Sequence, residues 1–139
     1  MKPGDPKVEE WLEVFKTNTI APLNICHTFF PNLRELPGKI IVLSSKMGSI
    51  SDNNSGGSYI YRSSKAALNS VMKSLAKDYQ KYSIPVFILH PGWVQTEMGG
   101  PNAQISVKAC VQNLRSLINN LTLKESGQFI NYDGAEVFW

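Results

Sequence analysis

The sequence predicts an α/β fold, a parallel sheet with helices packed on its faces, and three observations carry that prediction. Residues 39–45, 85–90 and 128–131 are short apolar or β-branched runs without polar alternation, the mark of strands buried on both faces. The longer stretches before and between them repeat apolar residues every three or four positions, as helices with one buried face do. The two signals also alternate, helix then strand, three times over, which is how βαβ crossovers read along a chain. A length of 139 residues, with 42% hydrophobic and 18% charged, fits one domain spanning 1–139.

The first helix is predicted over 7–36, with Leu12, Phe15, Thr19, Leu23, Cys26, Phe30 and Leu33 on one face. Pro22 and Pro31 should kink or shorten it, and Pro37-Gly38 ends it before the first strand. Residues 47–58 are rich in Gly, Ser, Asn and Asp and read as a loop. A second helix follows over 59–82, carrying Leu68, Val71, Met72, Leu75, Tyr79 and Tyr82 on one side. The second strand closes on Pro91-Gly92, and a loop over 93–103 leads to a third helix over 105–121. That helix presents Val107, Cys110, Val111, Leu114, Leu117, Ile118 and Leu121, and Asp133-Gly134 turns the chain after the last strand.

Composition excludes several function classes. A net charge of +3, with acids and bases interleaved, argues for no nucleic-acid partner. No apolar run approaches the ~18 residues that would span a bilayer. Met1-Lys2-Pro3-Gly4-Asp5-Pro6 leads into charged residues, so no secretory leader is read and a cytoplasmic location is expected. Asn53 and Asn120 each open a glycosylation-type triplet, read as chance without a secretory route. Cys26 and Cys110 show neither zinc spacing nor a disulfide framework and are expected as buried, reduced thiols. No metal site is predicted: His90 has only His27 for company and no acidic cluster, so a hydrogen-bonded structural role outweighs that of base or ligand.

In a parallel sheet, ligands sit beyond the carboxyl ends of the strands, so the site is expected where the loops 46–58 and 93–103 leave the sheet. Tyr61 and Lys65 stand four apart near the start of the second helix, on one face and within reach of each other. A phenol, with a pKa of about 10, is a poor proton carrier at neutral pH. An ammonium held near 4 Å favours the phenolate by up to ~4 kcal/mol at an effective dielectric of ~20. That brings a tyrosine toward exchanging a proton with a carbonyl or alcohol oxygen. Such a pair on its own also occurs as a solvated tyrosine beside a surface lysine. Ser44-Ser45 ends the first strand at the same crevice, where a hydroxyl can bond a substrate oxygen that gains charge, although serines also simply end strands. Asn18 is an unfavourable residue mid-helix, explained either by a specific hydrogen bond or by plain exposure.

Taken in order, these residues resemble the carboxyl-terminal half of a short-chain dehydrogenase/reductase, of the group that includes C-factor and sniffer-type carbonyl reductases. The likeness runs from about Trp11 to Trp139: Asn18, the Ser-Ser strand end, Tyr61-Arg62-Ser63-Ser64-Lys65, Pro91-Gly92-Trp93-Val94-Gln95-Thr96, and Asn131-Tyr132-Asp133-Gly134 before Trp139. The resemblance implies the carboxyl-terminal half of a Rossmann-like, doubly wound parallel sheet, three strands with three helices. It also implies an NAD(P)-dependent oxidoreductase acting on a small carbonyl or alcohol. Tyr61 would be the acid/base and Lys65 would bind the nicotinamide ribose and tune Tyr61. Ser45 would polarise the carbonyl, and Asn18 would hold a water in a proton relay. Pro91, Gly92 and Thr96, with Tyr61 and Lys65, would contact the cofactor, NADP or NAD. The span from Ser45 to Tyr61 is a few residues longer than usual for the family, with the extra length placed between Asp52 and Gly57.

One departure is large. The family opens on a strand and a Gly-rich turn that offers backbone donors to the cofactor pyrophosphate, and none of the ten glycines here stands in that pattern, nor is there an Asn-Asn-Ala-Gly segment. The amino-terminal, phosphate-binding half is therefore expected to be missing, as in a truncated product, a partial gene model or a splice form. An unpaired apolar edge on the first strand should follow. Association with itself or with a longer homologue is expected, and a non-catalytic interaction subunit is the alternative to an enzyme.

Overall fold

The computed structural model describes residues 7–36 and 38–139; 1–6 and Pro37, half of the expected Pro37-Gly38 break, lie outside the described residues. Three strands, β1 (Ile40–Leu43), β2 (Val86–His90) and β3 (Phe129–Asn131), form one parallel sheet in the order β1-β2-β3. The register sets Val42 beside Ile88, and His90 beside Asn131. Each strand is shorter than its apolar run, because the flanking residues leave the ladder for turns.

Alternate side chains serve opposite faces, as the pleat requires. Ile40, Val42, Val86, Ile88 and Phe129 join a core with Leu68, Met72, Leu75, Ala76 and Tyr79 of helix α4 (Tyr59–Tyr79). Phe87, Leu89 and Ile130, with Leu121, form a second core against α5 (Val107–Asn120) through Leu114, Leu117 and Ile118. The sheet is thus covered on both faces, which explains why its strands read as unbroken apolar runs. In α5 itself only Cys110 is fully buried, and Val107 and Val111 are exposed, so its apolar stripe is wider than the face it buries.

The expected first helix over 7–36 is broken. It comprises α1 (Val8–Phe15), a π-helical turn (Lys16–Ile20), α2 (Ala21–Thr28) and α3 (Phe30–Glu35). Pro31 falls in the first turn of α3, after the break at Phe29, where a missing N–H costs little, whereas Pro22 directly follows the π-helical turn in a backbone that stays helical, Ala21 N–H bonding Lys16 C=O. Phe29, at φ −90 and ψ 4, separates α2 from α3, and Pro31 in the first turn of α3 has no N–H with which to continue the ladder of α2. Of the predicted apolar face, Thr19 and Cys26 are buried and Leu23, Phe30 and Leu33 pack against the core, while Leu12 is exposed.

The two outer strands end differently. After β3 the chain turns at Gly134 (φ +90) and runs back antiparallel beside it, Asn131 N–H donating to Ala135 C=O at 2.8 Å and Val137 N–H to Phe129 C=O at 2.8 Å. Beside β1 no strand is found among the described residues, and Leu43 is 53% exposed. The Lys39 ammonium, at the entrance to β1, closes the end of α5 by donating to Ile118 C=O at 2.7 Å and Leu121 C=O at 2.5 Å.

Candidate active site

The carboxyl ends of β1 and β2 release the two long loops on one side of the sheet. Ser44 and Ser45 follow β1 and part company. Ser44 is buried and donates to Asn69 Oδ1 of α4 at 2.5 Å, while Asn69 Nδ2 reaches Gly48 C=O at 3.5 Å. Ser45 is half-buried, and its Oγ accepts Met47 N–H at 3.1 Å, capping a single 3-10 turn (Lys46–Gly48). A hydroxyl that accepts one bond still has a hydrogen to donate. Ser44 is therefore the structural serine and Ser45 the available one.

That turn lies against α4 because residue 48 is glycine. A Cβ there would stand 2.8 Å from the Lys65 carbonyl carbon and Cβ, a clash with backbone that no side-chain rotation relieves. Arg62 braces the same loop from α4, donating through its two terminal nitrogens to Met47 C=O at 3.4 Å and Ser55 Oγ at 2.9 Å. On the far side, Ser49 Oγ donates to Phe138 C=O at 2.6 Å and Ser51 N–H to Trp139 C=O at 3.0 Å. The stretch around Asp52–Gly57 arches outward, exposed almost throughout, with Gly56 and Gly57 at positive φ.

Tyr61 and Lys65 sit in the first two turns of α4, both half-buried, with Lys65 Nζ 5.8 Å from the centre of the Tyr61 ring. Burial holds the Lys65 ammonium below its usual pKa, and it donates to Leu43 C=O at 3.1 Å. Asn18 occupies the π-helical turn, a wider coil that places its amide against α4. Its Nδ2 donates to Ser64 Oγ at 3.1 Å, Ser64 in turn donates to Tyr61 C=O at 2.8 Å, and Thr19 Oγ1 donates to Ser64 C=O at 3.0 Å. Asn18, Leu43 and Lys65 line one groove of about 450 Å³.

At the end of β2, Gly92 takes φ +87, and the space of its missing Cβ is filled by the Tyr132 ring at 2.8 Å. The preceding Pro91 carbonyl accepts the Cys110 thiol at 3.2 Å. The Thr96 hydroxyl accepts Gly99 N–H at 3.1 Å and so ties its own turn. His90 is structural: its Nδ1 accepts Lys46 N–H at 3.3 Å, and burial first, the Lys46 charge second, pull its pKa down to about 4.

The structure thus puts Asn18, Tyr61 and Lys65 along one seam of α4, with the turn that follows Ser45 packed against that helix, and Pro91, Gly92 and Thr96 at the neighbouring strand end. Cys110 is buried as expected, and Ser64 lies within the Tyr61–Lys65 stretch, but their hydrogen bonds to Pro91 and Tyr61 carry no signal in the sequence. Asn69 and Gly48 are functional supports that the sequence does not single out; Gly48 is a glycine three positions past Ser45 in a loop where any glycine looks permissive.

A family model described as short chain dehydrogenase matches residues 4–106 of this chain. The chain belongs to the short chain dehydrogenase family. It is 37% identical to the C-signal protein of Myxococcus xanthus over 98% of its own length and 82% of that protein's. Among solved structures of the family, the carbonyl reductase Sniffer of D. melanogaster superposes with a TM-score of 0.96 at 36% identity. An NADPH-bound carbonyl reductase from chicken fatty liver superposes with a TM-score of 0.94 at 34% identity. Both comparisons cover 100% of this short chain dehydrogenase chain but 61% of the other.

Proposed function

We propose that the chain carries the proton-transfer and nicotinamide-side half of a nicotinamide-dependent oxidoreductase acting on small carbonyl or alcohol substrates. The observation that carries this reading is the Tyr61–Lys65 pair on one face of α4, beside the strand end that bears Ser45. The residues fit the ribose and nicotinamide end of NADP or NAD. Lys65 has ammonium hydrogens beyond the one given to Leu43, the Pro91-Gly92 turn stands half-buried at a strand end, and Thr96 stands in the loop that follows. A glycine turn for the phosphates is not among the chain's sequence patterns. When bound, the dinucleotide supplies or accepts the hydride.

The chain's own residues do the rest. Ser45 donates its hydroxyl hydrogen to the substrate oxygen, stabilising charge that develops there. Tyr61 passes a proton to that oxygen in reduction and takes it back in oxidation, a contribution of ~10²–10⁴ in rate for a positioned acid/base. Lys65 supplies positive charge beside Tyr61 and holds the ribose. Asn18, fixed through Ser64, holds a water that refills the proton. Two free, buried thiols fit a reducing compartment such as the cytoplasm.

The test is titration of NADPH fluorescence with the purified chain, followed by reduction of a panel of small aldehydes and ketones with Tyr61→Phe alongside. Saturable binding and a loss of ~10²-fold or more in kcat support the reading; unchanged turnover in the phenylalanine variant refutes the acid/base role. A second reading, an interaction subunit that pairs with itself or a longer homologue, is supported by the open edge of β1 and by exposed Ile20, Ile25 and Phe29. Absence of NADPH binding together with a stable complex with a longer family member decides for it.

A further inference from the structure

The turn that carries Ser45 is held from two directions. On one, Gly48 lies against Lys65 and Arg62 donates to Met47 C=O, both from the first two turns of α4. On the other stands the stretch Val137–Trp139, which runs back beside β3. Ser49, 2% exposed, follows the turn directly, its N–H donating to Lys46 C=O at 2.9 Å. Its hydroxyl hydrogen goes to Phe138 C=O at 2.6 Å, and its oxygen accepts Asp52 N–H at 3.1 Å. Ser51 N–H adds a bond to Trp139 C=O at 3.0 Å. These acceptors are backbone carbonyls, so they stand only as firmly as the stretch that bears them. Val137 is buried and donates its N–H to Phe129 C=O at 2.8 Å. Two residues on, the Trp139 indole stacks on Phe129 with ring centres 5.5 Å apart, and Lys73 Nζ of α4 lies 5.5 Å from the indole centre. Lys73 is itself anchored, donating to Gly127 C=O at 2.8 Å. Phe138, between them, is 71% exposed and leaves the anchorage to its neighbours.

Building on the reading of Ser45 as the hydroxyl that meets the substrate oxygen, we infer that Trp139 is a positioning residue. By anchoring the Phe138 and Trp139 carbonyls against Phe129 and Lys73, it fixes the Ser49–Ser51 stretch and, with it, the Ser45 hydroxyl. The reaction needs Ser45 and Tyr61 to converge on one oxygen, and a misplacement of about 1 Å costs ~10²-fold in rate. Tyr61 is borne by α4 directly. Ser45 is borne by a loop, which keeps pace with a helix only where the two are fastened together. Here α4 fastens it twice, at Lys65 through Gly48 and, two turns further on, at Lys73 through Trp139. Pro91, Gly92 and Thr96 are held separately, by Cys110, by the Tyr132 ring and by their own turn. The anchorage therefore bears on the substrate oxygen and leaves the cofactor side alone.

Met47 N–H, which donates to Ser45 Oγ at 3.1 Å, reports where that hydroxyl stands. In the isotope-labelled chain, Trp139→Ala speeds amide exchange at Met47, Ser51 and Asp52 by about tenfold or more and leaves Ile88, fully buried in β2, unchanged. Trp139→Phe keeps a ring on Phe129 and restores slow exchange at all three. Unchanged exchange at Ser51 and Asp52 overturns the anchorage, and faster exchange there with an unmoved Met47 overturns the positioning of Ser45. If Ile88 quickens as well, Ser49→Ala, which removes one hydroxyl and keeps the indole, decides by Met47: faster exchange upholds the positioning and unchanged exchange overturns it. In carbonyl reduction, Trp139→Ala lowers kcat by about tenfold with NADPH affinity unchanged. Weakened NADPH affinity with kcat retained overturns the assignment to Ser45. Faster Met47 exchange with full turnover upholds the positioning and overturns instead the reading of Ser45 as the donor, so the two fail separately.

Discussion

Replacing His90 with glutamine isolates what a neutral imidazole does at the strand ends. Glutamine keeps an acceptor for Lys46 N–H and removes the titration. In the folded chain burial, and then the Lys46 charge, lower the His90 pKa from 6.5 to about 4 against the contrary pull of Asp52 and Asp133. A histidine depressed on folding contributes stability that is complete above its unfolded pKa and is lost as the pH falls toward the folded one, here from 6.5 down to about 4. At about 1.36 kcal/mol per pH unit of displaced titration, the loss between pH 7 and pH 5 is about 2 kcal/mol. His90 is only partly buried, and solvent screening reduces that to about 1 kcal/mol. For a domain of this size the expected drop is ~3 °C in Tm. Asp133 and Glu125 are held below their usual carboxylate ranges by hydrogen bonds, so their losses begin at lower pH and leave the window clear. Calorimetry of wild type and His90→Gln at the two pH values is the assay. The wild type should lose ~3 °C more than the variant, and equal losses would refute the neutral, hydrogen-bonded histidine.

Three further outcomes follow from the geometry. Gly48→Ala drives a methyl into the Lys65 backbone at 2.8 Å and should cost ~1–3 kcal/mol in urea denaturation; an unchanged midpoint would mean the turn does not pack there. Ser44→Ala strips a donor from buried Asn69 and should cost ~1–3 kcal/mol, with part of it recovered when Asn69→Leu is added; additive losses would deny the bond. Cys26 and Cys110, buried and with thiol pKa values raised by burial, should resist iodoacetamide near pH 8 until denaturant is added; prompt labelling of either would contradict their burial.

Much of the sheet was legible because its strands are buried on both faces: Val86, Phe87, Ile88 and Leu89 have no solvent side on which to place a polar residue. Helix α4 was legible for the complementary reason, a stripe of Leu68, Met72, Leu75 and Tyr79 at helical spacing that the core does bury. The first helical region was not, since its breaks depend on tertiary partners. Periodicity carries straight through residues 16–20, whereas Asn18 and Thr19 are bonded to Ser64 some 45 positions away. The same holds at the site. Chemistry-bearing types such as Tyr61 and Lys65 can be picked out by spacing along a helix. The residues that hold them in place, Gly48, Asn69 and Ser64, are ordinary until the chain brings them together.

The π-helical turn over Lys16–Ile20 works as a shim in the amino-terminal coil. It contains about one residue more than an α-turn of the same reach, and each residue advances a helix by about 100°. Deleting a single residue there would rewind α1 by that angle and swing Trp11, whose indole donates to Ser63 Oγ at 3.0 Å, off the surface of α4. Tolerance of length change should therefore be far lower in these five positions than in the arching loop after Ser51, though both lie outside the sheet.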